Sequence, residues 1–293
     1  MVHNGIEYGI MQLITEAYDL LKTALGFDHQ QLHEVFSAWN ETLELNSYLM
    51  EITADIFQYI DSKNNALLEI ILDAAEQKET GNWTAIGAID LGVPVPTIMT
   101  AVNARIVSAY KEERTKASQV FDRVSGRDKG EGFVDKVRNA LCYAIVRAYA
   151  EEMALLKAGQ VRQCHWNLLE VQRIWKGGCI RAEFLQPMQQ PCPAQLVSNL
   201  LLASHFKEAI LSQLAAWREA IAVAIQLDIL ILAMSALLSY LNSYRRDRLP
   251  QNLSQAQRDY FGLHTYHRID RLATFHTEWT QVDAELLQTV TAD

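Results

Sequence analysis

The sequence predicts an all-α fold: one large helical domain built from two fused, duplicated helical repeats. Three observations carry that expectation. Apolar residues recur at three- and four-residue steps through most of the chain, strand-like alternation is nearly absent, and residues of one half reappear in the other at an offset of 135 or 136.

The first helix is predicted from "MQLITEAYDLLKTAL", which sets Leu13, Ala17, Leu20, Leu21 and Ala24 on one face. "QLHEVFSAWNETL" repeats the pattern with Leu32, Val35, Phe36, Trp39 and Leu43. The six prolines cluster in "GVPVP", "QPMQQPCP" and "LPQN", where they punctuate helices. "SGRDKGEG" at 125–132 reads as an exposed connection between the halves. Across it, Leu20-Leu21-Lys22 matches Leu155-Leu156-Lys157, and Val35, Trp39 and Leu49 match Val171, Trp175 and Leu185. Repeats of about 1–124 and 133–248 therefore fit within a domain over 1–270, followed by a tail over 271–293.

"AIDLGVPVP" runs parallel to "AIQLDILIL", so that Gly92, Pro94 and Pro96 meet Asp228, Leu230 and Leu232. On that reading the second copy has lost its breaker, and 220–238 forms one continuous buried helix. The segment is long enough to cross a bilayer, but Gln226 and Asp228 sit near its centre, where an acid costs roughly 2.5–3.5 kcal/mol on insertion.

With 293 residues and 49% hydrophobic content the chain can bury a large core. Its net charge of -9 excludes general binding to nucleic acid or anionic membranes, leaving anionic small molecules in a locally basic pocket. Cys142, Cys164, Cys179 and Cys192 lie 13 to 22 residues apart without a Cys-x-x-Cys pair, so reduced thiols and a cytoplasmic location are expected. No basic stretch leads into an apolar one at the N-terminus, which fits the same location.

Candidate chemistry begins in "MVHNGIEYG". On a helix, His3 and Glu7 stand at i and i+4, and Asn4, Glu7 and Tyr8 at i, i+3 and i+4, so all four share a face; the same spacing suits an exposed polar first turn. "QKETGNWTA" places Lys78 and Thr80 beside a glycine, as an anion-holding loop or an ordinary turn. Arg105 lies in an otherwise apolar helix, as a ligand or as a snorkelling surface residue. "QAQRDYFGLHTY" brings Arg258 and His264 together with aromatics, with an ion pair from Arg258 to a neighbour such as Asp259 as the alternative. His264, His267 and His276 lack a carboxylate or cysteine at ligand spacing, so no metal site is expected.

Taken in order, "MVHNGIEYG", "WTA", "GVPVP", "WKGGCIRAEFL", "QAQRDYFGLHTY" and "TFHTEW" resemble the C-terminal all-helical domain of 6-phosphogluconate dehydrogenase over nearly the whole chain. The resemblance implies oxidative decarboxylation of 6-phospho-D-gluconate to ribulose 5-phosphate with NADP, in a homodimer whose active sites are shared between subunits. It implies Glu7 as the general acid, His3 and Asn4 on the sugar acid, and Tyr8, Lys78, Thr80 and Arg105 holding substrate, largely at its phosphate. Arg258 and His264 are implied to reach across from the other subunit. In the family a general-base lysine immediately precedes the first motif, and a dinucleotide-binding domain with a Gly-x-Ala-x-x-Gly turn lies before it. Neither stands in these residues, so NADP is expected on an N-terminal domain outside them and no cofactor-binding residue within, with the isolated chain inactive. "KETGNW" departs from the family's "KGTGKW": Glu79 adds a negative charge and Asn82 removes a positive one. A non-catalytic helical domain that binds a phosphosugar or dimerises is the alternative function.

Overall fold

The computed structural model describes residues 1–124, 126, 127, 130–161, 167–175, 177, 178, 180–182, 204–280 and 287–289. They fall into two units, Met1–Tyr240 and Leu241–Asp293. Leu185, Cys164, Cys179, Cys192 and the whole of the proline-rich "QPMQQPCP" lie outside the described residues.

The first unit opens with α1 (Val2–Asp19), which runs on as a π-helical turn, Leu20–Leu25, closed by Gly26 at φ +71°. Its expected apolar face is the core: Leu13, Ala17, Leu20, Leu21 and Ala24 are all fully buried. α2 (His29–Asn40) starts in a capping box, in which the Asp28 carboxylate accepts from Gln31 N–H and the Gln31 amide oxygen accepts from Asp28 N–H. α2 ends before Leu43, which is 59% exposed and not on the buried stripe as expected. α3 (Tyr48–Gln58) is capped by Ser47, and its Phe57 meets Phe36 of α2 with ring centroids 5.2 Å apart. Burial of each such ring contributes about 1.5–3 kcal/mol, so these aromatics serve the core.

α4 (Leu67–Ile70), α5 (Thr80–Asp90), α6 (Pro96–Ala109) and α7 (Lys111–Val120) follow, with Pro96 at the first position of α6, where its missing N–H does no harm. Beyond the connection come α8 (Phe133–Val161), α9 (Leu168–Trp175), α10 (Ser204–Gln226) and α11 (Leu232–Tyr244). α1 packs on α5, α6 and α8, and α8 packs in turn on α10.

The expected continuous helix over 220–238 is not formed. α10 stops at Gln226, and Asp228 turns the chain with φ +51°, as Gly92 does at +68°. The Val93 N–H donates to Ala88 O at 2.8 Å, and the Ile229 N–H donates to Ala224 O at 2.9 Å, the same bond 136 residues later. The breaker that composition hides is tertiary: the Asp228 carboxylate accepts from Val124 N–H at 2.7 Å, and its carbonyl accepts from Arg123 at 2.8 Å. An aspartate tolerates the left-handed region, which makes the stop possible. No described helix is long and apolar enough to cross a membrane.

Two buried glutamates tie the halves together. Glu16 of α1 accepts from the N–H groups of Ala233 (2.6 Å) and Met234 (2.9 Å), in the first turn of α11. Glu151 of α8 accepts from the N–H and hydroxyl of Thr97 (3.2 and 3.0 Å), in the first turn of α6. Each carboxylate supplies acceptors to a helix start whose N–H groups have no intrahelical partner.

In the second unit α12 (Gln251–Gly262) leads into a small antiparallel sheet of β1 (Tyr266–His267), β2 (Thr274–Thr277) and β3 (Leu287–Thr289), with Phe275 opposite both Tyr266 and Thr289. The class remains all-α.

Candidate functional site

The polar face of α1 meets the start of α5. Asn4 donates its Nδ2–H to the Thr80 hydroxyl at 3.1 Å, and His3 Nδ1 lies 3.3 Å from Asn4 Oδ1 and 3.8 Å from Glu7 Oε2. Tyr8 is buried, and its hydroxyl oxygen accepts from the Lys78 backbone N–H at 3.3 Å. A side chain at Gly81 would run into the Tyr8 ring, so glycine there lets the α5 turn close over the tyrosine. The opening residues are therefore a joined cluster, not a frayed polar turn.

Arg105 of α6 lies over that ring, its Cζ 3.5 Å from the centroid, and donates to the Glu76 carbonyl at 3.3 Å. Burial pulls the pKa of its guanidinium below the ordinary arginine value, while Tyr8 and Glu7 work against the shift. It is a stacked, half-buried cation and not a snorkelling one. His3, Asn4, Glu7, Tyr8, Lys78, Thr80 and Arg105 thus occupy one region of the first unit, and two cations and several hydroxyl, amide and carboxyl groups are available to an anionic polyol.

Two features there escaped sequence reasoning. Glu79 takes φ +57° as the residue before α5, where a glycine would be unstrained. Glu152 of α8 is fully buried beneath α1 with neither carboxyl oxygen hydrogen-bonded, and burial, then the neighbouring Glu151, push its pKa well above the ordinary range. A Cβ at Gly5 would fall 2.7 Å from both Glu152 Oε1 and Thr84 Cγ2, so Gly5 is what admits the close approach. The signal for Glu152 was a pair of acids inside the apolar run "AYAEEMALL". Gly178, from "WKGGCIRAEFL", lies against His3, a Cβ there falling 3.1 Å from its Nε2.

Arg258 and His264 lie in the second unit. Arg258 donates to Gln255 Oε1 at 3.0 Å; the alternative pairing with Asp259 is not made, because Asp259 is buried and occupied by other donors. His276, one of the three late histidines, is held by Asp259 at 3.0 Å and stands 3.4 Å from Glu278. Cys142 is buried, and burial pushes its thiol up to about 12, which makes it unreactive.

Among the described residues the one sheet is the antiparallel C-terminal one and the isolated bridges Ser47–Ala182 and Ile60–Ala66 are antiparallel too, so none of them forms the parallel βα turn that sets a pyrophosphate on a helix N-terminus.

The family described as "6-phosphogluconate dehydrogenase, C-terminal domain" matches residues 1–279. The decarboxylating 6-phosphogluconate dehydrogenase of Synechococcus elongatus is 54% identical over 289 residues, covering 95% of this chain and 61% of that protein. The NADP(+)-dependent decarboxylating enzyme of Bacillus subtilis is 46% identical, over 95% of this chain and 61% of its own length. The chain thus spans about three fifths of these relatives, at 61% of each. The solved Plasmodium falciparum 6-phosphogluconate dehydrogenase, described in apo form and with NADP+ or 6-phosphogluconate, superposes with a TM-score of 0.91 at 42% identity, covering 95% of this chain and 61% of that one. A family match across nearly the whole chain, and a fold shared with a solved member, place this chain in the 6-phosphogluconate dehydrogenase C-terminal domain family.

Proposed function

We propose that this chain is the substrate-binding and dimerisation part of a decarboxylating 6-phosphogluconate dehydrogenase that acts in the cytoplasm. The observation that carries the proposal is the stack of Arg105 on Tyr8, with the Lys78 backbone on the Tyr8 hydroxyl and Asn4 on Thr80. Those contacts fix the Arg105 guanidinium beside a set of neutral donors and anchor the backbone from which the exposed Lys78 side chain extends.

In this reading Lys78 and Arg105 bind the phosphate, Arg105 through its planar fork, and Tyr8 and Thr80 complete that end. His3 and Asn4 hold the sugar acid. Glu7 delivers its proton to the carbon left when carbon dioxide departs, while the enediol hydroxyl gives up its own proton to a base; a positioned carboxylic acid contributes on the order of 10²–10⁴-fold to such a step. Hydride acceptance belongs to NADP on an N-terminal domain of the relatives' kind, outside the described residues.

The partner subunit's Arg258 and His264 meet the same phosphate in this proposal. Exposed apolar side chains such as Leu72 (65%), Val120 (73%) and Phe121 (71%) supply surface suited to a second copy. We also read 1–124 and 133–248 as two copies of one duplicated helical unit, on the turn and capping bonds that recur between them.

Calorimetry tests the site. 6-Phosphogluconate should bind the chain, gluconate should bind at least about tenfold more weakly, and Arg105→Ala should remove that preference. Equal affinity for both ligands in the unmodified chain would overturn the assignment of the phosphate site. Phosphosugar binding without catalysis is a second reading, favoured by the negative charge of Glu79 next to Lys78. Joining the chain to a relative's dinucleotide-binding domain separates the two: turnover supports the enzyme, and binding without turnover supports the module.

A further inference from the structure

α12 runs into a segment that its own backbone disfavours. Leu263 and Thr265 take φ +53° and +55°, a region in which a β-branched residue such as Thr265 is an outlier. His264 stands between them, edge-on to Phe261 at 6.0 Å, and a Cβ at Gly262 would fall 2.8 Å from its imidazole. The chain is folded tightly under His264, and a strained turn persists only where its surroundings over-determine it.

Two side chains do so. Asp259 is fully buried and accepts four hydrogen bonds: from Thr265 N–H at 2.9 Å and His276 Nδ1 at 3.0 Å on one oxygen, and from Thr277 N–H at 3.1 Å and Trp279 Nε1 at 2.8 Å on the other. A carboxylate has about four acceptor positions, so this one is saturated. Gln255 donates to the Thr265 carbonyl at 2.5 Å and accepts from Arg258 at 3.0 Å, which joins Arg258 to the turn that carries His264.

The geometry points to Asp259, assisted by Gln255, as a positioning residue that presents Arg258 and His264 as one preset unit to a phosphate group. The inference rests on the reading above that those two residues meet the substrate. Asp259 itself touches no ligand. Its contribution is preorganisation: with the turn already closed, binding does not have to order it.

His276 makes the clamp sensitive to pH. The hydrogen bond to Asp259 holds its imidazole above the ordinary histidine value; burial opposes the shift, and Glu278 adds to it. Asp259 faces it from α12 and Glu278 from beyond the end of β2, while Tyr266 of β1 turns its hydroxyl to Thr277, 2.6 Å away. As pH rises through that raised value the imidazole loses its charge, the clamp weakens, and affinity for the phosphate falls.

The test titrates 6-phosphogluconate into the 293-residue chain. Asp259→Asn should weaken binding by about tenfold or more, and Gln255→Ala by about three- to tenfold. His276→Gln should reduce the loss of affinity that the unmodified chain shows as pH rises above the ordinary histidine value. Parallel pH profiles for that pair, or Asp259→Asn and Gln255→Ala binding like the parent while Arg258→Ala does not, would overturn the positioning role and leave the site assignment standing. Arg258→Ala binding like the parent would instead refute the assignment on which the inference rests. If Asp259→Asn fails to fold, Gln255→Ala at its half-buried helix position decides alone: parental affinity there overturns the inference.

Discussion

Replacing Glu16 by glutamine isolates the electrostatics of one buried cap. Glu16 is fully buried, and burial drives its pKa up to about 7 from the ordinary 4.5, against the lowering pull of hydrogen bonds from Ala233, Gln12 and Met234. A raised pKa means that the folded state holds the proton more tightly than the unfolded chain. The stabilisation is complete below pH 4.5 and is lost as pH rises to about 7. Two and a half pH units at about 1.4 kcal/mol each give roughly 3 kcal/mol, a large share of a total of about 5–15 kcal/mol. Glutamine does not titrate and resembles the neutral acid, with one acceptor oxygen. Urea denaturation followed by circular dichroism at about pH 5 and pH 8 should therefore show the parent losing about 2.5 kcal/mol more than Glu16→Gln, since the unfolded carboxyl is already mostly ionised at pH 5. A stability difference between the two proteins that stays constant to within about 1 kcal/mol across that range would refute the reasoning.

Three further substitutions probe the site's floor and rim. Glu79→Gly relieves the left-handed strain at φ +57° and should stabilise the chain by about 0.5–1 kcal/mol in urea, since the strain exceeds the added freedom of the unfolded glycine. Glu152→Leu replaces an unpaired buried carboxyl by an apolar group of similar size and should stabilise by about 1–3 kcal/mol, more at pH 8 than at pH 5. Gly5→Ala forces a methyl 2.7 Å from Thr84 Cγ2 and 3.1 Å from Ile98 Cδ1 and should destabilise by about 1–3 kcal/mol, with a lower melting temperature.

Local features read well from the chain itself. The apolar stripe of Leu13, Ala17, Leu20, Leu21 and Ala24 follows from helical spacing alone, and all five are buried as expected. The shared polar face of His3, Asn4, Glu7 and Tyr8 followed from the same spacing. What stayed hidden depends on partners distant in sequence. The end of α10 rests on a bond from Val124 to Asp228, across 104 positions, so a largely apolar stretch conceals a stop. The tie from Gln255 to the Thr265 carbonyl and the saturation of Asp259 by Thr265, His276, Thr277 and Trp279 depend on a turn that neighbouring residues do not advertise. Leu43 shows the opposite error, a periodic residue placed beyond the real end of its helix.

The crossed caps of Glu16 and Glu151 have a consequence for how such a chain becomes a chain at all. The acceptor for α11 comes from the first half, and the acceptor for α6 comes from the second. A fragment ending near residue 124 would leave the start of α6 without its carboxylate, and a fragment beginning near residue 133 would leave α11 in the same state. Neither fragment completes its own interior, but the two together can, each inserting an acid into the other. If the two halves are copies of one unit, as proposed above, an ancestor one repeat long would meet the same requirement by pairing with a copy of itself, and its folding would depend on concentration. Fusion would then turn that encounter into an intramolecular step.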